Sequence, residues 1–88
     1  MNQYTQEEFL QIIKTYNNTD KQLIKKNLQI LKVKYDFKNS KITADLGHKV
    51  EKVRGWFSNA NQYIPTFEDA LQLAIQYNFD IKEMYTKV

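Results

Sequence analysis

The sequence predicts an all-α fold, a compact bundle of five or six helices forming one domain over residues 1–88. Three observations carry that expectation. Apolar residues recur three and four positions apart along most of the chain, helix-capping residues stand at the start of these runs, and strand-like alternation is nearly absent. A chain of 88 residues, 42% of them hydrophobic, can bury roughly two-thirds of its unfolded surface. That supports one modest core and leaves no room for a second catalytic domain.

The first helix is expected to open on Thr5, with Glu8 three residues later completing a capping box. Tyr4 and Phe9 stand at the positions of a hydrophobic staple. Phe9, Ile12, Ile13 and Tyr16 then follow helical spacing until Asn17 and Asn18 end the run. Asp20 caps a second helix to about Tyr35, with Ile24, Leu28, Leu31 and Tyr35 as its apolar stripe. Lys21, Lys25, Lys26 and Lys32 are assigned to its wetter faces. A short third helix begins at Asn39 or Ser40 and runs through Leu46. It stops at Gly47, since the left-handed conformation after a helix costs glycine least.

A fourth helix covers about residues 49–57, with Val50, Val53 and Trp56 or Phe57 on its buried side, and it dissolves into the polar loop 58–61. Gly55 is expected on its outward side, as a position with no side chain to offer. Thr66 caps a fifth helix whose buried face is Phe67, Ala70, Leu71, Ala74 and Ile75, and Asn78 can take the left-handed conformation that ends it. Asp80 and Glu83 form a second capping box, with Phe79 and Met84 as its staple, before a last turn carrying Ile81 and Tyr85.

The net charge of +3 is unevenly distributed. Residues 21–54 hold ten Lys and Arg against Asp36, Asp45 and Glu51, a local excess of +7, and each flanking segment carries −2. A basic middle between acidic ends points to a polyanionic partner for one surface. No stretch reaches the ~18 apolar residues of a membrane span. The amino-terminal residues lack the basic and apolar regions of a signal peptide. The absence of cysteine fits a reducing cytoplasm and removes thiolate chemistry.

The informative stretch is 42–56. Ile42 and Leu46 before the glycine turn, and Val53 and Trp56 after it, can face one another across two steeply crossed helices. The second of these would then project Lys49, Glu51, Lys52 and Arg54 outward. An α-helix has the width of the DNA major groove, so a protruding polar helix on a basic surface can touch base edges.

At these residues the chain resembles the Cro/C1-type helix-turn-helix family of phage and bacterial repressors. Leu46-Gly47, Val53 six residues after the glycine and Trp56 nine after it match that family's core pattern. The segments 65–74 and 78–85 look like its characteristic ending. The resemblance covers about residues 20–85 and implies a lambda-repressor-like bundle, with residues 1–19 as an additional amino-terminal helix. It implies that Val50 and Glu51 read bases, flanked by Lys49, Lys52 and Arg54, and that Asn39 lies at a phosphate. Ser40, His48, Ser58 and Asn59 complete the expected DNA-contact set. Glu51 could accept from cytosine N4 and Val50 could pack on a thymine methyl, with the cations mainly on phosphates.

The departures are Thr43, where alanine is usual between closely packed helices, Lys49, where a Ser or Thr cap is usual, and Phe57, where glutamate is common. His48 also reads simply as a turn residue. The acids at 7–8 and 68–69 suit helix first turns, and the aromatics suit core or interface. Ser40 and Ser58 lack a glycine-bounded elbow and a partner histidine, and two glycines cannot build a phosphate-cradling loop, so neither enzymatic activity nor a cofactor or metal is expected.

The sequence therefore points to a cytoplasmic, nucleoid-associated transcriptional regulator, a homodimeric repressor from a phage or other mobile element, bound to a double-stranded DNA operator. The alternative is a protein-interaction module, antitoxin-like or anti-defence-like, reusing the same fold for a protein partner. Dimerisation could use the last helix, through Phe79, Ile81, Met84 and Tyr85, or the first, through Phe9, Ile12, Ile13 and Tyr16. Packing of the first helix on its own core is favoured over the latter.

Overall fold

A computed structural model describes residues 4–87. α1 (Gln6–Asn17) opens on Thr5, whose side chain and that of Glu8 cap each other's backbone amides reciprocally, as the capping box requires. Asp20 caps α2 (Lys21–Lys34) by accepting from the Gln22 amide at 2.8 Å. Thr66 caps α5 (Phe67–Tyr77) by accepting from the Asp69 amide at 3.2 Å. Two helix ends rely on the left-handed conformation anticipated for them, Gly47 at φ 72° after α3 (Asn39–Leu46) and Asn78 at φ 54° after α5. Between α2 and α3, Asp36 also adopts φ 55°, which turns the chain so that Phe37 re-enters the core.

α3 starts at Asn39, the earlier of its two expected starts. Its N-cap is Lys38, which makes no side-chain cap. The last element is a 3₁₀ turn, Ile81–Met84, and Asp80 caps it by accepting from the Lys82 amide at 3.0 Å. Glu83 reaches across to α2, where its carboxylate accepts from Lys34 Nζ and from the Tyr35 hydroxyl, both at 2.8 Å. Burial alone pushes the Glu83 carboxyl up, but these two donors outweigh it and leave the group below its ordinary value. A lowered folded-state value means the tie stabilises above the unfolded value and is lost as pH falls through the folded one. Glu83→Gln is expected to lower the melting temperature at neutral pH. The difference should shrink as pH falls through the lowered folded-state value and the wild-type carboxyl is itself protonated, as circular dichroism melts at neutral and acid pH will show.

α3 packs on α4 (Val50–Phe57) and α5, α2 on α4 and the 3₁₀ turn, and α1 on α5. Ile24, Leu28, Ile42, Val53, Trp56, Leu73, Ile81 and Met84 are sealed at the centre. Phe37 meets Tyr77 at 4.5 Å and Phe79 stacks on Tyr35 at 5.0 Å, forming an aromatic wall beneath the carboxy-terminal turn. Among the described residues there is no strand, and no helix is long and apolar enough to cross a membrane.

The amino-terminal helix packs on its own chain. Ile12 and Tyr16 are buried, Phe9 and Tyr16 meet the Phe67 ring edge-on, and the Tyr16 hydroxyl donates to the Pro65 carbonyl at 2.6 Å. Tyr4 extends the same junction by donating to the Asp80 carboxylate at 2.7 Å. The expectation that Phe79, Ile81 and Met84 could serve a second copy is corrected, since all three are buried in this chain's interior. Once the aromatic wall and α2 have covered them, they have no surface left to share.

Candidate nucleic-acid interface

Gly47, His48 and Lys49 link α3 to α4, and Ile42, Val53 and Trp56 bury the angle between them. Thr43 is the inward-facing residue of its pair, as Ala44 is exposed. Its hydroxyl is buried without a hydrogen-bond partner among the described residues, so an alanine would have been the quieter choice there.

The turn is held from below. His48 Nε2 lies 2.9 Å from Asp69 Oδ1 on α5, and the imidazole stands edge-on to Trp56 with ring centres 5.7 Å apart. His48, expected on the contact surface, thus turns its ring inward and ties the turn to α5. Asp69, read from sequence as a first-turn acid, is the nearly buried partner of that tie.

α4 exposes Glu51, Lys52 and Arg54, with Lys49 exposed just before it and Val50 half-buried. At 100° per residue Glu51 stands opposite Val53, Trp56 and Phe57, with Lys52 and Arg54 on the two edges of that side. Lys49 is the N-cap and makes no side-chain cap, so the first amides of α4 lack that partner. Its amino-terminal turn therefore combines the positive end of the helix dipole with Lys49 and Lys52.

The other expected contact residues gather at the opposite end of α4. Asn39 is half-buried, and its Oδ1 accepts from Lys32 Nζ at 3.3 Å. That ammonium also lies 4.9 Å from the Phe57 ring centre, while Ser40 beside Asn39 is exposed. Ser58 Oγ accepts from the Ala60 amide at 3.1 Å and shapes the loop, and Asn59 is exposed.

Two expectations about α2 and α4 are overturned together. Lys25, assigned to solvent, is buried, and its ammonium donates to the carbonyls of Gly55 at 2.9 Å, Trp56 at 3.2 Å and Tyr63 at 2.7 Å, and to Asn61 Oδ1 at 3.1 Å. Gln29, one helical turn on, donates to the Phe57 carbonyl. A cation at the carboxy-terminal end of a helix satisfies orphaned carbonyls and opposes their dipole, so α2 supplies the cap that α4 lacks in its own sequence. Burial pulls the Lys25 ammonium below its ordinary value.

Gly55, expected to be bare and outward, is buried, because the Tyr63 ring lies against it. Lys25, Gln29 and Tyr63 were not legible as functional positions. The only sequence signal was that Lys25 and Gln29 stand one turn apart beside the apolar stripe of α2. Comparison with protein-family models, with curated proteins and with solved structures returns no match.

Proposed function

We propose that the chain is a lambda-repressor-like, sequence-specific regulator that binds double-stranded DNA by docking the amino-terminal half of α4 in the major groove. One observation carries this reading. Glu51 is exposed on the side of α4 turned away from its buried Val53, Trp56 and Phe57, Lys52 and Arg54 are exposed along the two edges of that side, and Lys49 is exposed just before the helix, within a segment of net charge +7. Recognition helices contact bases through their amino-terminal residues. On this reading Lys49, Lys52 and Arg54 meet phosphates, Glu51 accepts from cytosine N4, and Val50 lies against a thymine methyl. The protein acts as a homodimer on half-sites about one helical turn apart, in the nucleoid of a cell carrying the phage or mobile element that encodes it.

The test is a titration of duplex DNA across salt concentrations. The wild type is expected to lose affinity steeply, by about 0.9 log units per log unit of salt for each phosphate neutralised. Lys52→Ala combined with Arg54→Ala is expected to cut affinity at least about tenfold and flatten the slope by roughly 1.8. Its melting temperature should stay that of the wild type, since both side chains are exposed. Affinity untouched by the double substitution would place the contact surface elsewhere.

The second reading, a protein-interaction module, is favoured by Ile30 and Val33 on α2. They stand three residues apart, Ile30 40% and Val33 84% exposed, on a face left open among the described residues. No binding to any duplex would move the assignment to that surface.

A further inference from the structure

The outward side of α4 changes character along its length. Glu51 and Lys52 stand away from the core, and the position one turn beyond them on that side is Gly55. A Cβ built on Gly55 would meet Tyr63 Cδ2 at 3.1 Å, Cβ at 3.7 Å and Cγ at 3.9 Å, so the ring rests on bare helix backbone. Gly55 is buried between this ring and the Lys25 ammonium on its carbonyl, while Tyr63 itself remains 68% exposed. Where a helix ordinarily projects its own side chain, this one carries a side chain from the loop that follows.

That side chain is mounted on a fixed backbone. The Tyr63 amide donates to Asn61 Oδ1 at 2.8 Å, the Tyr63 carbonyl accepts from Lys25 Nζ at 2.7 Å, and the same ammonium donates to Asn61 Oδ1 at 3.1 Å. Both backbone groups of Tyr63 are thus set by one network rooted on a buried cation. A rigidly mounted tyrosine offers a large amphipathic contact at small entropic cost. Beside it, Lys21 of α2 and Glu51, Lys52, Trp56, Gln62 and Ile64 border a cleft of about 510 Å³, so Tyr63 lines the same cleft as two lysines.

We propose that Tyr63 is a DNA-contact residue standing in for the side chain absent at Gly55, its ring against a deoxyribose edge and its hydroxyl donating to a phosphate oxygen. This rests on the assignment of α4 as the DNA-docking helix. Lys25 and Gly55 are positioning residues, one fixing the Tyr63 backbone and the other admitting its ring. The contact is uncharged, so it adds affinity without releasing a counterion, unlike Lys52 or Arg54.

The test titrates the full chain with a mixed-sequence duplex of about 24 base pairs, long enough for two half-sites one turn apart. Tyr63→Phe keeps the ring and is expected to weaken binding about 10- to 100-fold, the worth of one hydrogen bond to a charged acceptor. Tyr63→Ala should weaken it further. Both variants should keep the wild-type salt slope, whereas Lys52→Ala lowers the slope by about 0.9. Gly55→Ala displaces the ring while raising helix propensity, and is expected to weaken binding with no fall in melting temperature. Wild-type affinity in both Tyr63 variants overturns the role of Tyr63 and leaves the DNA reading standing. Failure of the wild type to bind with a steep salt dependence overturns both.

Discussion

Replacing Trp56 with alanine is expected to cost about 3–5 kcal/mol, the usual loss for truncating a large buried aromatic. Trp56 is 1% exposed and is the largest fully buried side chain among the described residues. It fills the angle between α3 and α4, and the His48 imidazole leans on it while bound to Asp69. Its loss therefore opens a cavity and also removes the surface that seats the turn. A domain of this size holds only about 4–13 kcal/mol in total, so the variant should melt far below the wild type and give a broad transition in circular dichroism. Trp56→Phe, which keeps an aromatic against His48, should recover a large part of the loss. A sharp, wild-type-like melt for Trp56→Ala would mean that the α3–α4 angle is not built around this ring.

Replacing Lys25 with methionine is the second large effect, about 2–4 kcal/mol, because it preserves most of the buried stem while deleting the ammonium. Each buried acceptor stripped of its donor costs about 1–3 kcal/mol, reduced where water can reach it. Here the carbonyls of Trp56 and Tyr63 lose the ammonium that donates to them, while the Gly55 carbonyl keeps the Ser58 amide at 3.4 Å and the Asn61 amide oxygen keeps the Tyr63 amide at 2.8 Å. The loss should be uneven along the chain. Hydrogen exchange is expected to accelerate in the last turn of α4 and in residues 58–63, while α1 and α5 stay protected until global unfolding. Lys25→Met melting at the wild-type temperature would show that the four contacts merely replace equally good bonds to water.

The two residues show where sequence reasoning succeeds and where it stops. Trp56 was legible as core, because its partners Val53 and Phe57 lie on the same helix at spacings that periodicity reports. Lys25 was not. It sits beside the stripe of Ile24 and Leu28, where a lysine ordinarily points its head to water. What draws it inward is a set of carbonyls thirty or more positions away. The candidate interface divides the same way. Lys49, Glu51, Lys52 and Arg54 are exposed as the pattern implied, whereas His48 is turned inward by Asp69.

By itself the sequence determined where the helices lie, how Thr5, Asp20 and Thr66 start them, how Gly47 and Asn78 end them, and that the basic charge gathers in the middle third. These features follow from hydrogen bonds and side-chain spacings spanning a few residues, so they are written locally. Only the tertiary structure decided which flank of each stripe is closed. Lys25 went inside to finish α4, Gly55 was covered by Tyr63, and the carboxy-terminal apolar residues were absorbed into this chain's own core. Each depends on which element lands beside which, and periodicity within one helix says nothing of what its neighbour will present.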